Sequence, residues 1–293
     1  MKPHMQKRIL LLNAGPHTRR AFLSGIETAE VECYRSRDIA LHIHADGVMS
    51  FYAENKEIGM EYAYVFSRLF GTDHVFGSIL NEHFSSLGIP VSDPVHYPVA
   101  DDKIVQMPRF ARNGICVPET FIVREESFAA NKEYILSKLA FPVVFKTSGS
   151  RGRNVAKIES AALLEAAMAE KKPHVRALIQ TLIPNTYDTR TLVAYGTVLG
   201  TIKRSAQKGN FLNNVSQGAA IEAYALTQEE TAVALKATKI CGLDFGGVDI
   251  IHTEKGPCVL EVNRSPQIKG FESIYGKDAV FKDIARLIEK RYA

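Results

Sequence analysis

Between residues 245 and 266 the chain reads FGGVDIIHTEKGPCVLEVNRSP, with Asp249 in a first apolar run and Glu261 and Asn263 in a second. Side chains alternate faces along a strand, so Glu261 and Asn263 share a face and Val262 takes the other. The turn signal from Lys255 to Pro257 folds the second run back on the first. Two carboxylates and an amide oxygen brought together form a hard-ligand set suited to Mg²⁺ or Mn²⁺, above all where nucleotide phosphates complete the coordination. Polar residues on the solvated face of a hairpin would give the same pattern, and the spacing alone leaves both readings open.

Cations accompany these oxygens. Lys146 ends the apolar run PVVFK and leads into TSGSRGRN, where small residues let backbone N–H groups approach phosphate oxygens while the ammonium neutralises charge. The order is not that of a P-loop, because the Lys precedes the glycines. A solvated Lys at a hairpin turn looks alike. Lys103 opens a helical stretch, DDKIVQMPRFARNG, and its claim to function rests on its company. Asp188 and Arg190 share a strand face, Arg204 ends a further strand, and Lys208, Asn213 and Asn214 follow in a polar loop. That mixture suits a polyphosphate or an acyl phosphate, with Arg supplying a planar fork; a plain surface loop remains the alternative.

These side chains need elements to hold them. Residues 8–13 read as a first buried strand, 19–28 as a helix, and 31–34, 40–43 and 48–51 as short strands, while 61–70 and 76–87 have helical spacing. Gly88, Pro90, Asp93, Pro94 and Pro98 mark a domain edge. Beyond it the pattern predicts a helix over 101–113, an extended run over 117–123, a helix over 128–139, and paired strands over 141–146 and 154–158. A helix over 161–170 and a strand over 177–182 follow, then a hairpin of 192–195 and 198–204 and helices over 228–241 and 278–291. Strands alternating with helices imply an α/β sheet at the N-terminal end.

With 293 residues, 46% hydrophobic and 23% charged, the chain can bury two or three cores. A net charge of +4 without charge blocks suits an anionic ligand better than a nucleic-acid coat, and the run ILLL is too short for a membrane span, so neither nucleic acid nor membrane is expected as a partner. Cys33, Cys116, Cys241 and Cys258 are scattered and read as buried, reduced thiols, which points to a cytoplasmic location. His42 and His44 share a strand face but lack a third zinc ligand nearby. Tyr62, Tyr64, Phe66 and Phe70 read as core or subunit contact, which leaves a homo-oligomer open.

Taken in order, DDKIVQ, the strand Lys with its Gly/Ser loop, DTRTLV, IKRSAQKGNF, GLDFGGVDII, GPCVLEVNRSP and KGFESIYG resemble the ATP-grasp superfamily, and within it the RimK-like carboxylate–amine (glutamate) ligases. The resemblance covers residues 101–293; the first hundred match by α/β character. It implies an α/β and α+β architecture: a Rossmann-like pre-ATP-grasp domain over 1–98, a central lobe over 99–183, and a C-terminal lobe with a metal site over 184–293. It further implies ATP, two Mg²⁺ ions with Mn²⁺ as a substitute, and a carboxylate and an amine as substrates, either of which could belong to a peptide or protein terminus.

By the same resemblance, Lys103 and Lys146 touch the ATP phosphates, and Ser148, Gly149, Ser150 and Gly152 belong to a loop that closes over them. Gln180, Thr181 and Leu182 form the adenine hinge, Asp188 holds the ribose, and Leu212, Asn213 and Asn214 line the nucleotide and metal side. Asp249, Glu261 and Asn263 are the metal ligands, and Glu261 bridges two ions. Arg204 steadies the transferring phosphoryl group, with Lys146 as its catalytic companion, and Arg190, Arg204, Arg264 and Ser265 face the substrate. Thr181 stands where relatives carry an acidic residue, Asn154 replaces a loop glycine, and Gln217 and Ala219 replace Arg and Gly, so the acceptor pocket differs. The implied reaction passes through an acyl phosphate to an amide, by analogy with glutamate added. A ligase acting on a peptide or carrier-protein carboxylate and a non-catalytic MgATP-binding regulator are the alternatives.

Overall fold

Ile9, Leu10, Leu11 and Leu12 are all fully buried, with Ile9 and Leu11 in one core and Leu10 and Leu12 in another. A parallel strand covered on both faces requires such an unbroken apolar run. In the computed structural model, which describes residues 7–59, 61–67, 74–93, 102–147, 155–170, 175–205, 220–254 and 256–293, this run is β1 (Arg8–Leu12). Next come α1 (Pro16–Leu23), β2 (Glu30–Tyr34), β3 (Ala40–Ile43), β4 (Met49–Ala53), β5 (Lys56–Glu57), β6 (Tyr62–Ser67) and α2 (His74–Ser86). The parallel sheet has the order β2-β1-β6, and β3, β4 and β5 form a small antiparallel sheet beside it.

The helix expected over 61–70 is a strand over the described part, β6. A buried apolar run of this length carries no periodicity that separates strand from helix, and pairing with β1 decides it. Tyr64 and Phe66 enter the core shared with Ile9, and Tyr62 and Val65 enter the other.

The middle of the chain comprises α3 (Lys103–Arg112), β7 (Thr120–Val123), α4 (Glu125–Ala130), α5 (Lys132–Lys138), β8 (Val143–Thr147), β9 (Val155–Ile158), α6 (Ala161–Ala169) and β10 (Ala177–Thr181). Its strands form an antiparallel sheet in the order β7-β10-β8-β9, backed by a core of Val143, Phe145, Ile179, Phe128 and Leu164. The single helix expected over 128–139 is two helices that meet at Asn131.

The C-terminal part contains β11 (Tyr187–Ala194), β12 (Thr197–Ser205), β13 (Ala220–Ala223), α7 (Gln228–Ile240), β14 (Phe245–Thr253), β15 (Gly256–Asn263), α8 (Lys269–Tyr275) and α9 (Ala279–Tyr292). Its antiparallel sheet has the order β13-β12-β11-β14-β15. Helix α7 begins at a capping box: Thr227 accepts from Glu230 N, and Thr227 N donates to the Glu230 carboxylate.

One core spans the N-terminal sheet and the C-terminal part of the chain. Ile9, Phe22, Tyr64 and Phe66 share one core with Leu192, Ile202, Phe245, Phe271 and the apolar face of α9, so the N-terminal sheet and the C-terminal lobe are packed as one body. Each such buried side chain contributes about 1.5–3 kcal/mol, and an apolar junction of this kind resists relative motion. Polar contacts pin the same junction. Glu289 of α9 accepts the backbone N–H groups of Glu27, Thr28 and Ala29 at 2.6–2.8 Å, and Asp278 accepts from Arg20 at 3.0 Å. Met107, Phe110 and Ile115, in and just after α3, likewise join the core of β14, β15 and α7.

The expectation of four reduced thiols fails for two of them. Cys116 and Cys258 are joined as a disulfide, and Cys33 and Cys241 are thiols outside any disulfide. A sequence separation of 142 hides the pairing; it arises because the segment after α3 lies along β15, where Val259 N donates to Cys116 O at 2.8 Å. Among the described residues no helix is long and apolar enough to cross a membrane.

Candidate active site

The hairpin β14–β15 pairs without interruption from Thr253↔Gly256 to Ile250↔Val259, and then slips by one residue so that Asp249 faces Glu261, Val248 faces Val262 and Gly247 faces Asn263. Leu260 is the extra residue. Without this bulge Asp249 would lie opposite Leu260. With it, Val259 and Val262 both enter the core under α7, while Glu261 turns to the face of Asp249. Bulges re-aim side chains in this way beside functional sites.

On that face β11 changes character along its length. Leu192 and Ala194 are buried in the apolar core, and two and four residues earlier Arg190 and Asp188 continue the face as charges. Arg190 lies opposite Asp249 in the ladder and closes on it with two bonds, Nε to Oδ1 and Nη2 to Oδ2, both 2.6 Å. Arg204 of β12 lies opposite Asp188, donating Nε to its Oδ1 at 2.6 Å and placing Nη2 3.0 Å from Asp249 Oδ2. Arg204 is only 2% exposed. Its burial disfavours the charged form, but the carboxylates of Asp249 and Asp188 outweigh that and hold its pKa above the usual arginine value. Burial likewise pushes against ionisation of Asp249, yet Arg190 and Arg204 keep its carboxyl below the ordinary range. Asp188 goes the other way: burial, helped by the nearby Asp249 charge, raises it despite Arg204.

Lys103, at the start of α3, places Nζ 2.6 Å from Glu261 Oε2, and Asn263 Nδ2 donates to Glu261 Oε1 at 2.8 Å. Burial would raise Glu261, but the Lys103 ammonium holds it below the usual carboxylate value. Lys146 projects from β8 on the face opposite Val143 and Phe145. Burial lowers its pKa, Glu261 and Asp249 raise it, and Lys103 adds to the lowering. The two lysines and the two carboxylates therefore share one electrostatic environment, with the central sheet on one side and β14–β15 on the other.

Not every expected residue points at this cluster. Gln180 is 2% exposed, and its amide donates to Thr120 Oγ1 at 2.8 Å and approaches Met107 Sδ at 3.7 Å. Thr181 N donates to Glu119 O at 3.0 Å, and Thr181 and Leu182 are half-buried at the exit of β10. Asp188 is paired with Arg204. Arg264 is 5% exposed, with Nε 3.3 Å from Asp93 Oδ2 at the junction with the N-terminal body; Ser265 is exposed. Ser148, Gly149, Ser150, Gly152, Leu212, Asn213 and Asn214 lie outside the described residues.

One residue was missed. Gln106 is 1% exposed; its Nε2 donates to Val262 O at 2.8 Å and its Oε1 accepts from Val262 N at 3.0 Å. β15 is an edge strand, and Gln106 supplies the two bonds that a further strand would make. It sits one turn after Lys103 on the same helix face, which is the signal DDKIVQ carried.

The donor set fits a divalent cation. Two facing carboxylates and an amide whose Nδ2, not Oδ1, is spent on Glu261 are hard oxygen donors, and the surrounding cations suit phosphate. Carboxylates on β14–β15 met by cations from α3, β11 and β12 fit the metal and phosphate end of a site of the ATP-grasp class.

The comparisons agree. Residues 100–288 match the RimK-like ATP-grasp domain. A probable alpha-L-glutamate ligase of Teredinibacter turnerae is 33% identical over 298 residues, 97% of this chain and 95% of that protein. The ribosomal protein bS6–L-glutamate ligase of Escherichia fergusonii is 33% identical over 220 residues, 73% of this chain and 72% of that one. A probable alpha-L-glutamate ligase of Parasynechococcus marenigrum is 33% identical over 210 residues, and the chain spans only 44% of its length. Among solved structures, the ATP-grasp ligase PsnB with precursor peptide PsnA2 and AMPPNP superposes with a TM-score of 0.72 at 17% identity over 98% of each chain, a likeness of fold. The chain belongs to the RimK-like ATP-grasp family. It is an ATP-dependent carboxylate–amine ligase.

Proposed function

We propose that the chain joins an amino acid, glutamate in the first place, to the carboxylate of a polypeptide, through an acyl phosphate formed at the β14–β15 face. The observation that carries this reading is the pair Asp249 and Glu261, facing each other across the bulged hairpin and ringed by Lys103, Lys146, Arg190 and Arg204. Glutamate is favoured because several relatives are glutamate ligases, and a polypeptide because one relative acts on a ribosomal protein and PsnB holds a precursor peptide. ATP and Mg²⁺ fit a cytoplasmic setting, with the central lobe over 99–183 and the C-terminal lobe over 184–293 holding the nucleotide between them.

Asp249, Glu261 and the Asn263 amide would hold two Mg²⁺ ions, or Mn²⁺ in their place, which when bound neutralise phosphate charge. Lys103 from α3 and Lys146 from β8 reach the phosphates, and Gln180, Thr181 and Leu182 border the base. Arg204, held by Asp188, keeps its charge where the γ-phosphoryl group passes to the substrate carboxylate oxygen, with ADP leaving. The amine then attacks the acyl carbon, phosphate departs, and the nitrogen loses a proton to give the amide. Asp188 acts as a positioning residue for Arg204.

Phosphate release from MgATP, glutamate and a panel of peptides with acidic C-termini tests the reading. Turnover that needs both glutamate and a peptide, and that Glu261→Ala abolishes, is the expected result. Full activity in Glu261→Ala would sink the metal assignment, and turnover with free amino acids alone would remove the polypeptide.

A further inference from the structure

Both carboxylates that the proposed reaction needs for metal are already engaged by the protein's own cations. Arg190 holds Asp249 through both oxygens at 2.6 Å, and Lys103 lies 2.6 Å from Glu261 Oε2. Arg190 Nη2 also stands 4.0 Å from Glu261 Oε1, between the two acids. These are not loose surface pairs. The Arg190 and Asp249 side chains are 13% and 7% exposed, strand pairing sets the reach of Arg190, and Gln106 sets that of Lys103.

A two-pronged guanidinium uses the in-plane lone pairs on the same edge of the carboxylate that a metal ion would use. The two cannot occupy that edge together. Arg204 differs, because its Nε is held by Asp188 as well, so it has an anchor apart from Asp249. Among the described residues the Arg190 guanidinium donates to Asp249 alone, with Glu261 Oε1 4.0 Å from its Nη2, and the O–P–O edge of a phosphate matches its fork as well as a carboxylate does.

We propose that Arg190 and Lys103 are placeholder cations: they neutralise Asp249 and Glu261 while the site is empty, and pass to the nucleotide phosphates when metal and nucleotide arrive together. Metal and nucleotide binding are then positively coupled, since the phosphates take up the cations that metal entry displaces. This rests on the nucleotide-site reading above. Giving up the charged bonds of Arg190 weakens nucleotide-free metal binding by roughly 10- to 100-fold.

The test is Mn²⁺ titration of the full chain, with free Mn²⁺ followed by electron paramagnetic resonance, in the absence and presence of AMPPNP. Arg190→Met should bind Mn²⁺ roughly 10- to 100-fold more tightly than wild type without nucleotide, and the advantage should vanish with AMPPNP, because Arg190 has by then left Asp249. Equal gains in both states would mean simple removal of a positive charge and would overturn the proposal, as would no gain. Arg190→Lys, which keeps the charge and loses the fork, should show a smaller gain, and Lys103→Met reads the Glu261 side independently; flat responses in both overturn it even where Arg190→Met fails to fold. Wild type that binds no Mn²⁺ even with AMPPNP overturns the nucleotide site itself. Wild type that binds it, with variants unchanged, overturns only the placeholder role.

Discussion

Replacing Gln106 with leucine removes the two bonds that this side chain makes to the backbone of the edge strand β15, while keeping a side chain of similar bulk in a position that is 1% exposed. The packing term therefore changes little, and the loss is polar. Val262 N–H and C=O, on a residue 2% exposed, lose their partners, and an unsatisfied buried backbone group costs about 1–3 kcal/mol. Two groups, partly rehydrated at a sheet edge, give about 2–4 kcal/mol, which for a chain of this size lowers Tm by roughly 3–7 °C. Lys103 lies one turn before Gln106, so its ammonium loses the alignment that sets it 2.6 Å from Glu261, and nucleotide affinity should fall by about tenfold, or 1.4 kcal/mol. Differential scanning fluorimetry and titration with AMPPNP read the two effects. Gln106→Glu sharpens the test, because it still accepts from Val262 N–H but sets a carboxylate oxygen against Val262 O, and it should be worse than leucine at neutral pH. A leucine variant that melts and binds as wild type does would refute the claim that this amide positions Lys103.

Two further outcomes follow from the same geometry. A Cβ on Gly247 would lie 2.6 Å from Pro266 Cβ, so Gly247→Ala must push the turn after Asn263 outward; we expect a loss of about 1–3 kcal/mol in denaturant unfolding and weaker metal-dependent nucleotide binding, and unchanged values for both would contradict the clash. Burial, and then the neighbouring Asp93 carboxylate, pushes Asp244 up to about 6. A carboxyl raised in the fold contributes stability that is fully present below its unfolded value of 3.8 and is lost as pH rises through about 6, so unfolding free energy should decline over that window by at most about 3 kcal/mol on this account. Asp244→Asn should flatten the decline and be at least as stable as wild type at pH 7. Parallel pH profiles for the two proteins would refute the assignment.

Much of the site was legible because its chemistry is local. Asp249, Glu261 and Asn263 could be assigned to one hairpin from alternation and a turn signal, and DTRTLV put Asp188 and Arg190 on one strand face. The central strand β1 was legible for the same reason, since burial on both faces leaves an unbroken apolar run. β6 was not, because YAYVF satisfies strand and helix alike until β1 pairs with it.

What the chain determined by itself was therefore which side chains are candidates for the site and which family of folds presents them, because residue type and short-range period survive without tertiary contacts. The tertiary structure decided who faces whom. The one-residue slip at Leu260 sets Glu261 opposite Asp249, Gln106 fastens α3 to β15, Asp188 is spent on Arg204, and Cys116 meets Cys258 across 142 residues. None of these is encoded in any local window, since register, edge pairing and ion-pair partners depend on backbone segments that meet only when the sheets have formed.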